Sequence, residues 1–465
     1  MSAAGASQYN QLQVSKPRRG LVVDTKGKII GFDYYESLFS PTVTATMVQY
    51  DTGGTVASED SGLRGTLKDA LPIEGFEEVG FEIATRYGTL DFMKKPMIIT
   101  GTPSAIDEPQ RQSILINMVS KYSLINSKKV SGRVYPQAPI SDIVSKILSD
   151  PSGLNIPKSQ QFIDKTINDD KVSCNHDSPL EVITGLCKKS IPYVEGLSDP
   201  APGYFFFETK SGFHFKSIDK LIHDGRKQLK ESEDYRGSHT YGYFPTGNKN
   251  VKNPEMNDFN VLNIPDVQRD QNILKSVRRG EYNVRICTLN TLTHQYDERI
   301  VNLLSGSNLG RKQETQKDRD FHKTYTYLLN PGADAKDVSL TVLNNPALYE
   351  PRAMMRYSLL QAQLVKITVP CNMELEAGDV IELNLGNITD DNKLIEVYNL
   401  HRSGAYLILH LCHHFDSDNS YTYLTLCRDT YGKRSSLKWV HQLVQNHFLI
   451  QVIKINMENF HYNLG

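Results

Sequence analysis

The sequence predicts an α+β, mainly β chain of several domains, with a β-barrel candidate towards each end and a smaller α/β module between them. Three observations lead there. Period-two alternation and short strand-like runs fill the first 120 residues, and a second set of such runs lies between Leu364 and Cys427. Between the two sets, helix-start signals appear among the strands. At 465 residues the chain exceeds one ordinary core, and roughly 150 residues per domain suggests about three domains.

In the first region, Thr42, Thr44 and Thr46 alternate with Val43, Ala45 and Met47, the pattern of a strand with one buried face. Pro41 fits the start of that strand, and Asp51-Thr52-Gly53-Gly54 supplies a turn after it. The polar stretch from Thr55 to Asp69 reads as a long loop, and strands are expected at Gly75 to Ala84, Met97 to Thr100 and Ser113 to Val119.

The middle region mixes helix and strand. Ser141 is expected to cap a helix with Ile143, Val144, Ile147 and Leu148 on one stripe, ended by Asp150-Pro151. Ser178-Pro179-Leu180-Glu181 is a fuller helix start, with a capping serine, proline in the first turn and glutamate three residues on. Ile183, Leu186 and Cys187 form its buried side. Tyr204 to Phe215 reads as a hairpin turning at Lys210-Ser211-Gly212. Tyr204 and Phe206 face opposite to Phe205 and Phe207, so both faces must be covered and the hairpin belongs at the centre of its domain.

From His223 to Asn263 the chain is polar with little periodicity, and a strand-like run follows at Tyr282 to Leu292. Arg311 to Arg319 reads as a charged loop or arm. Pro351 can start a helix through Gln361, and strands are expected at Leu364 to Val369, Val380 to Leu385, Tyr406 to Phe415 and Tyr421 to Cys427.

Charge excludes one class of function. Lys plus Arg number 52 against 53 for Asp plus Glu, so net charge cannot hold nucleic acid or anionic lipid. The first fifteen residues lack the pattern of a secretory signal, and apolar runs such as Tyr204 to Phe207 fall far short of the ~20 residues of a membrane span. Six cysteines without CxxC spacing suggest reduced, packed thiols.

Several residue sets tempt a chemical reading. His410, Cys412 and His414 could share one strand face and bind zinc, but no fourth ligand is placed by the sequence. Asp51-Thr52-Gly53 looks like an aspartic-protease triplet, yet that chemistry needs two carboxylates and only one triplet exists. The aromatic hairpin could stack bases or sugars, but apolar faces on both sides favour a core element. Glu208 with Asp219 is a nominal acid/base pair with no sign of a cleft. No phosphate-binding loop, nucleophile elbow, HExxH helix or dinucleotide fingerprint occurs. The expectation is a non-enzymatic chain with no catalytic, cofactor-binding or metal site.

A run of segments carries a family resemblance. They are Asp33 to Ala45, Leu71 to Gly75, Gly80 to Ile83, Gly203 to Asp219, Ile367 to Asn372 with Ala377 to Ile381, and Leu400 to Asp429 with Ser403-Gly404-Ala405-Tyr406. Together they resemble the baseplate central hub family of T-even-like contractile-tailed bacteriophages, in its cyanophage form. Two departures stand out: Cys371 where the resemblance leads one to expect glycine, and a long apolar tail from Ser435 to Gly465.

The resemblance implies two tube-like β-barrel domains per subunit, at 1–120 and 346–432. It implies a connecting module at 121–222, a second connecting or tube-like segment at 223–345, and a tail at 433–465. It further implies a homotrimer whose six lobes match a sixfold tail tube protein above and a threefold central spike protein below. Baseplate wedge proteins would surround it, and double-stranded DNA would transit the lumen without specific binding or any membrane insertion. The expected location is the virion tail baseplate, after assembly in the host cytoplasm. The rivals are a hub-spike protein of a contractile secretion or injection system and a tail-associated cell-wall hydrolase.

Overall fold

The computed structural model describes residues 7–16, 21–52, 56–57, 64–65, 73, 75–108, 111–129, 132–174, 177–193, 201–243, 258–269, 274, 278, 284–291, 294–301, 323–329, 346–361, 363–385, 402–416 and 419–429. The turn expected at Gly53-Gly54, most of the Thr55 to Asp69 loop, the arm at Arg311 to Arg319 and the tail from Ser435 lie outside the described residues.

The first lobe is built from β1 (Gln8–Lys16), β2 (Leu21–Asp24), β3 (Ile29–Ser37), β4 (Thr44–Asp51), the small β5 (Val56–Ala57) and β6 (Arg64–Gly65), β7 (Glu78–Thr85), β8 (Gly88–Asp91), β9 (Met97–Glu108) and β10 (Arg111–Ser120). The predicted alternation holds along β4, where Ala45, Met47, Gln49 and Asp51 point inwards. Their side is the core of the lobe, in which Phe81 lies 4.8 Å from Phe32 and 4.9 Å from Phe92, ring centre to ring centre. β9 continues past the expected end at Thr100 because it pairs with β10 as far as Glu108.

The middle of the chain contributes α1 (Lys121–Lys128), β11 (Val134–Pro139), α2 (Ile140–Ser149), β12 (Gln161–Ile163), β13 (Asp169–Ser173), α3 (Pro179–Cys187), β14 (Tyr204–Glu208), β15 (Phe213–Ser217), α4 (Ile218–Glu231) and α5 (Glu233–Ser238). α3 has the full capping box at Ser178 and Glu181. α2 begins one residue before the expected cap: Ser141 is inside it, and its amide donates to the Thr166 hydroxyl at 3.1 Å. A tertiary partner thus does what a local cap would have done. Of the stretch from His223 that looked irregular, residues 223–231 and 233–238 are helix and 240–243 strand, while 244–257 lie outside the described residues. Ile218, Ile222, Gly225 and Leu229 of α4 are buried, a narrow stripe among charged residues.

The hairpin β14–β15 is central, as its two apolar faces require. Tyr204 and Phe206 join the core of α1, α2 and α3, while Phe205 and Phe207 join a separate core with Leu38, Ile218, Val380 and Leu407. Each such ring, fully buried, contributes about 1.5–3 kcal/mol.

The remaining elements are β16 (Thr240–Tyr243), β17 (Asn263–Arg269), β18 (Val284–Asn290), β19 (Tyr296–Val301), β20 (Lys323–Leu329), α6 (Pro346–Leu360), β21 (Gln363–Pro370), β22 (Val380–Leu385), β23 (Gly404–Asp416) and β24 (Ser420–Arg428). β18, β19 and β20 form a separate small sheet whose Val284 and Ile286 pack on Met355 of α6. α6 starts a turn before Pro351, which sits inside it. The proline removes one intrahelical bond, and buried Met355, Arg356 and Leu360 hold the helix beyond it.

The second lobe repeats the strand order of the first. In the first, β3, β4, β10, β9 and β7 are neighbours in that order, every pair antiparallel. In the second, β17, β21, β24, β23 and β22 follow the same order with the same directions. Irregularities recur too. β3 and β17 are both bulged near their starts, at Ile29/Gly31 and Asn263/Asp266. β9 and β23 are both bulged just past the part that pairs with β7 or β22. The lobes have separate cores, the second around Tyr241, Val365, Ile381, Tyr406 and Leu424. They share one sheet, because residues His410 to Asp416 of β23 pair with Ser37 to Gly31 of β3.

Candidate functional site at the lobe junction

Of the three residues nominated as zinc ligands, His410 turns to Ser37, whereas Cys412 and His414 both face Asp33 Oδ1, the Cys412 thiol at 3.8 Å. His410 Nδ1 meets the Ser37 hydroxyl at 2.7 Å, and His414 Nδ1 meets Asp33 Oδ1 at 2.6 Å. His413 points to the opposite face, bonds the Thr422 hydroxyl at 2.9 Å, and burial drives it down to about 3. These contacts tie β23 to β3 and β24. Among the described residues no group of three or more His, Cys, Asp or Glu is placed to hold a metal ion. Asp51 ends β4 and pairs with Lys28 at 3.1 Å. Cys371 needs no glycine: it is a buried residue outside the positive-φ region, and its amide donates to Ser420 O at 3.2 Å.

Glu208 and Asp219 have disjoint partners. Glu208 accepts from the Val43 amide at 3.1 Å and the Ser120 hydroxyl at 2.9 Å, joining the hairpin to the adjacent start of β4 and end of β10. Asp219, at the start of α4, pairs with Arg356 at 2.9 Å and accepts from the Ala201 amide at 2.9 Å. Arg356 also reaches Asp429 at 2.7 Å, so one buried guanidinium binds α4, α6 and the end of β24. Burial lowers the stability of lone charges and makes such a group dependent on its partners.

Sequence reasoning missed the residues that complete the junction. Glu36 shares the buried face of β3 with Phe32 and Tyr34, and that charged residue in an inward position was the available signal. It accepts from the Tyr34 hydroxyl at 2.9 Å, the Lys210 amide at 2.8 Å and the Ala377 amide at 2.9 Å. Thus one carboxyl of the first lobe holds the hairpin turn and a loop of the second lobe together. In that loop, Glu376 accepts from the Thr209 hydroxyl at 2.7 Å and the Ser211 hydroxyl at 2.8 Å, and Lys210 Nζ donates to the Met373 carbonyl.

Desolvation dominates here. Burial, then the nearby Glu376 charge, pushes the Glu36 carboxyl up to about 8. Burial raises Glu208 to about 7 against the opposing pull of its hydrogen bonds and of Lys95 and Lys121. Burial lowers His214, which stacks on Phe207 at 5.0 Å, to about 4. Raised carboxyls can signal catalysis, but these bond backbone amides of three packed elements. Their geometry is that of a joint.

Neither a protein-family model nor a curated protein matches the sequence. Solved structures do. A tail protein from Neisseria meningitidis MC58 is similar over 92% of this chain and 98% of its own, at 10% identity and a TM-score of 0.49. The 43 kDa tail protein of prophage MuSo2 from Shewanella oneidensis is similar over 91% and 99%, at 7% identity and a TM-score of 0.47. The E. coli c3393 protein, a component of the type VI secretion system, is similar over 93% and 79%, at 10% identity and a TM-score of 0.42. The neighbours named here are tail proteins and a secretion-system component.

Proposed function

We propose that this chain is a structural baseplate hub of a contractile tail, a homotrimer whose paired lobes close into a ring. The observation that carries the reading is the internal repeat: the same order and direction of strands, with bulges at equivalent places, in two lobes that share one sheet. A subunit with two equivalent lobes lets threefold symmetry present six similar surfaces to a sixfold tube while keeping three for a spike. Glu36 ties the first lobe to the second directly, Glu208 holds the hairpin to the first lobe, and Arg356 holds the connecting module to the second, which supports the fixed angle between lobes that such a ring needs.

In this reading the tube-like domains are 1–120 and 346–432, with 121–222 connecting and 223–345 a second connecting or tube-like segment that lends β16 and β17 to the second lobe. The tail at 433–465 lies outside this division. The role is non-enzymatic, in the virion baseplate, among tail tube, spike and wedge proteins, with double-stranded DNA passing through the lumen unbound. The cyanophage-like form of the T-even family is the closest expectation from the segments around Asp33 to Ala45 and Gly203 to Asp219.

Mass photometry of the purified chain tests this, alone and with tail tube and spike proteins added. A species of three times the 52.5 kDa subunit mass is expected. A monomer that persists with those partners present contradicts the reading, and a cell-wall zymogram with a clear band would favour the hydrolase instead.

A further inference from the structure

We infer that Phe76 is the anchor of a docking surface on the first lobe, one that seats the threefold central spike protein through an apolar socket edged with carboxylates. This deepens the hub reading and rests on it for the trimer.

Phe76 lies just ahead of β7, with its side chain 62% exposed and its φ at +72°. That is the left-handed region, which disfavours residues with a Cβ and bulky ones most of all. The segment is nevertheless pinned. The Phe76 amide donates to the Ile99 carbonyl at 3.0 Å, the Ile99 amide donates to the Glu77 carbonyl at 2.9 Å, and the Gly75 amide donates to the Glu77 carboxylate at 3.0 Å. Glu77 is 2% exposed and pairs with Lys16 at 3.6 Å. A fixed, buried base thus holds an aromatic ring out into solvent.

The repeat shows how the same position is used elsewhere. Glu78 and Val79 of β7 face Ile98 and Met97 of β9, as Val380 and Ile381 of β22 face Leu407 and Tyr406 of β23. Two residues earlier in each lobe, Gly378 is the counterpart of Phe76. Its amide donates to the Ile408 carbonyl at 3.0 Å, and the Ile408 amide donates to the Asp379 carbonyl at 2.9 Å, the same two bonds as in the first lobe. Its φ, +97°, is positive as well. There the residue is glycine, which that backbone favours, and the chain closes over it: a Cβ at Gly378 would stand 3.2 Å from Phe207, 3.5 Å from Leu38 and 3.6 Å from Leu221. The first lobe has an exposed ring where the second has a glycine under the hairpin. Neither backbone preference nor burial within the subunit accounts for phenylalanine at 76, whereas contact with another molecule does.

Two observations choose the occupant. In a trimer Phe76 is shown three times and not six, because the second lobe has buried Gly378 at the equivalent place. A threefold partner engages all three rings alike, and a sixfold one would meet unlike sites. The Lys128 ammonium, at the end of α1, lies 5.2 Å from the centre of the ring, and Lys129 beside it is exposed, so carboxylates around the partner's socket match the charge. Aromatic anchors that fill desolvated sockets are where binding energy concentrates.

The test uses the full chain in its assembled form. Phe76→Gly removes the ring and suits the backbone at φ +72°, so the trimer is expected to form as before and to melt within about 2 °C of the native chain. Its affinity for the spike protein, read by titration calorimetry, is expected to fall at least about tenfold, with tail tube binding unchanged. Lys128→Glu is expected to weaken spike binding too, by a factor that shrinks as salt is raised. In the unmodified chain, hydroxyl-radical oxidation of Phe76 is expected to persist in the trimer and to drop when the spike protein is added. Unchanged spike affinity in Phe76→Gly overturns the inference and leaves the hub reading standing. Loss of the trimer in that variant, or protection of Phe76 by trimerisation alone, also overturns it and assigns the ring to a contact between copies. A fall in tube binding overturns the choice of the spike. A native chain that neither trimerises nor binds the spike protein overturns the hub reading as well.

Discussion

Arg356→Met tests the joint between the connecting module and the second lobe. In the native chain Arg356 is 3% exposed and binds Asp219 and Asp429, whose side chains are fully buried. Methionine has a comparable reach and keeps most of the packing, so the change isolates the charge. Two aspartates would then be buried without their cation, and each must either remain ionised at high cost or take up a proton. For an aspartate of ordinary pKa, taking up a proton costs about 4 kcal/mol at pH 7 and about 1.5 kcal/mol at pH 5. For the pair the ceiling is about 8 kcal/mol at pH 7 and about 3 kcal/mol at pH 5. The Ala201 amide still serves Asp219, and partial relaxation admits water, so about 3–5 kcal/mol is expected at pH 7, falling to about 1–2 kcal/mol at pH 5. Calorimetric unfolding of wild type and variant across that range reads the difference, with hydrogen exchange of α6 and β24 locating it. Adding Asp219→Asn and Asp429→Asn to the variant should recover most of the loss. A loss that does not change with pH, or a triple variant no better than the single one, would refute the account of Arg356 as an electrostatic joint.

Glu208→Gln carries the opposite sign. The folded chain holds the Glu208 carboxyl at about 7 against a reference of 4.5, so folding favours its protonated form. That contribution is complete below pH 4.5 and is lost as pH rises through 7; the variant should match wild type near pH 5 and exceed it by up to a few kcal/mol at pH 8.5 in melting experiments. Glu36→Gln should behave similarly with its window extended to about 8. At Gly225 an added methyl group would fall 2.5 Å from Val380 Cγ2, so Gly225→Ala should cost about 1–3 kcal/mol in thermal unfolding, and Val380→Ala should relieve it in the double variant. Phe207→Ala should cost about 3–5 kcal/mol, measured the same way, and should loosen the amide of Lys210 in hydrogen exchange because the hairpin turn follows the ring.

Local features were legible where local chemistry decides them. The capping box at Ser178 and Glu181, the two-faced hairpin at Tyr204 to Phe215 and the alternation at Thr44 to Asp51 all formed as the sequence implies. Failures came where a distant partner supplies what the sequence lacks. Thr166 satisfies the amide that a cap at Ser141 would otherwise protect the helix from exposing, and α6 runs through Pro351 on the strength of its anchored face. In α4 the apolar stripe is narrow and flanked by Lys, Asp and Arg, so polarity hid its period. The pairing of β3 with β23 joins residues nearly four hundred positions apart, and no turn signal can announce it. Glu36, Glu376 and Arg356 were invisible as a site for the same reason: each is ordinary alone and acquires meaning from contacts across the chain.

Electron cryomicroscopy of the purified assembly addresses the central claim most directly. The account predicts a threefold ring of six alternating lobes around an open lumen, with continuous sheet crossing the boundary between the two lobes of each subunit. Isolated single subunits, or a threefold assembly in which the two lobes of each copy occupy inequivalent radii and do not alternate around one ring, would contradict it.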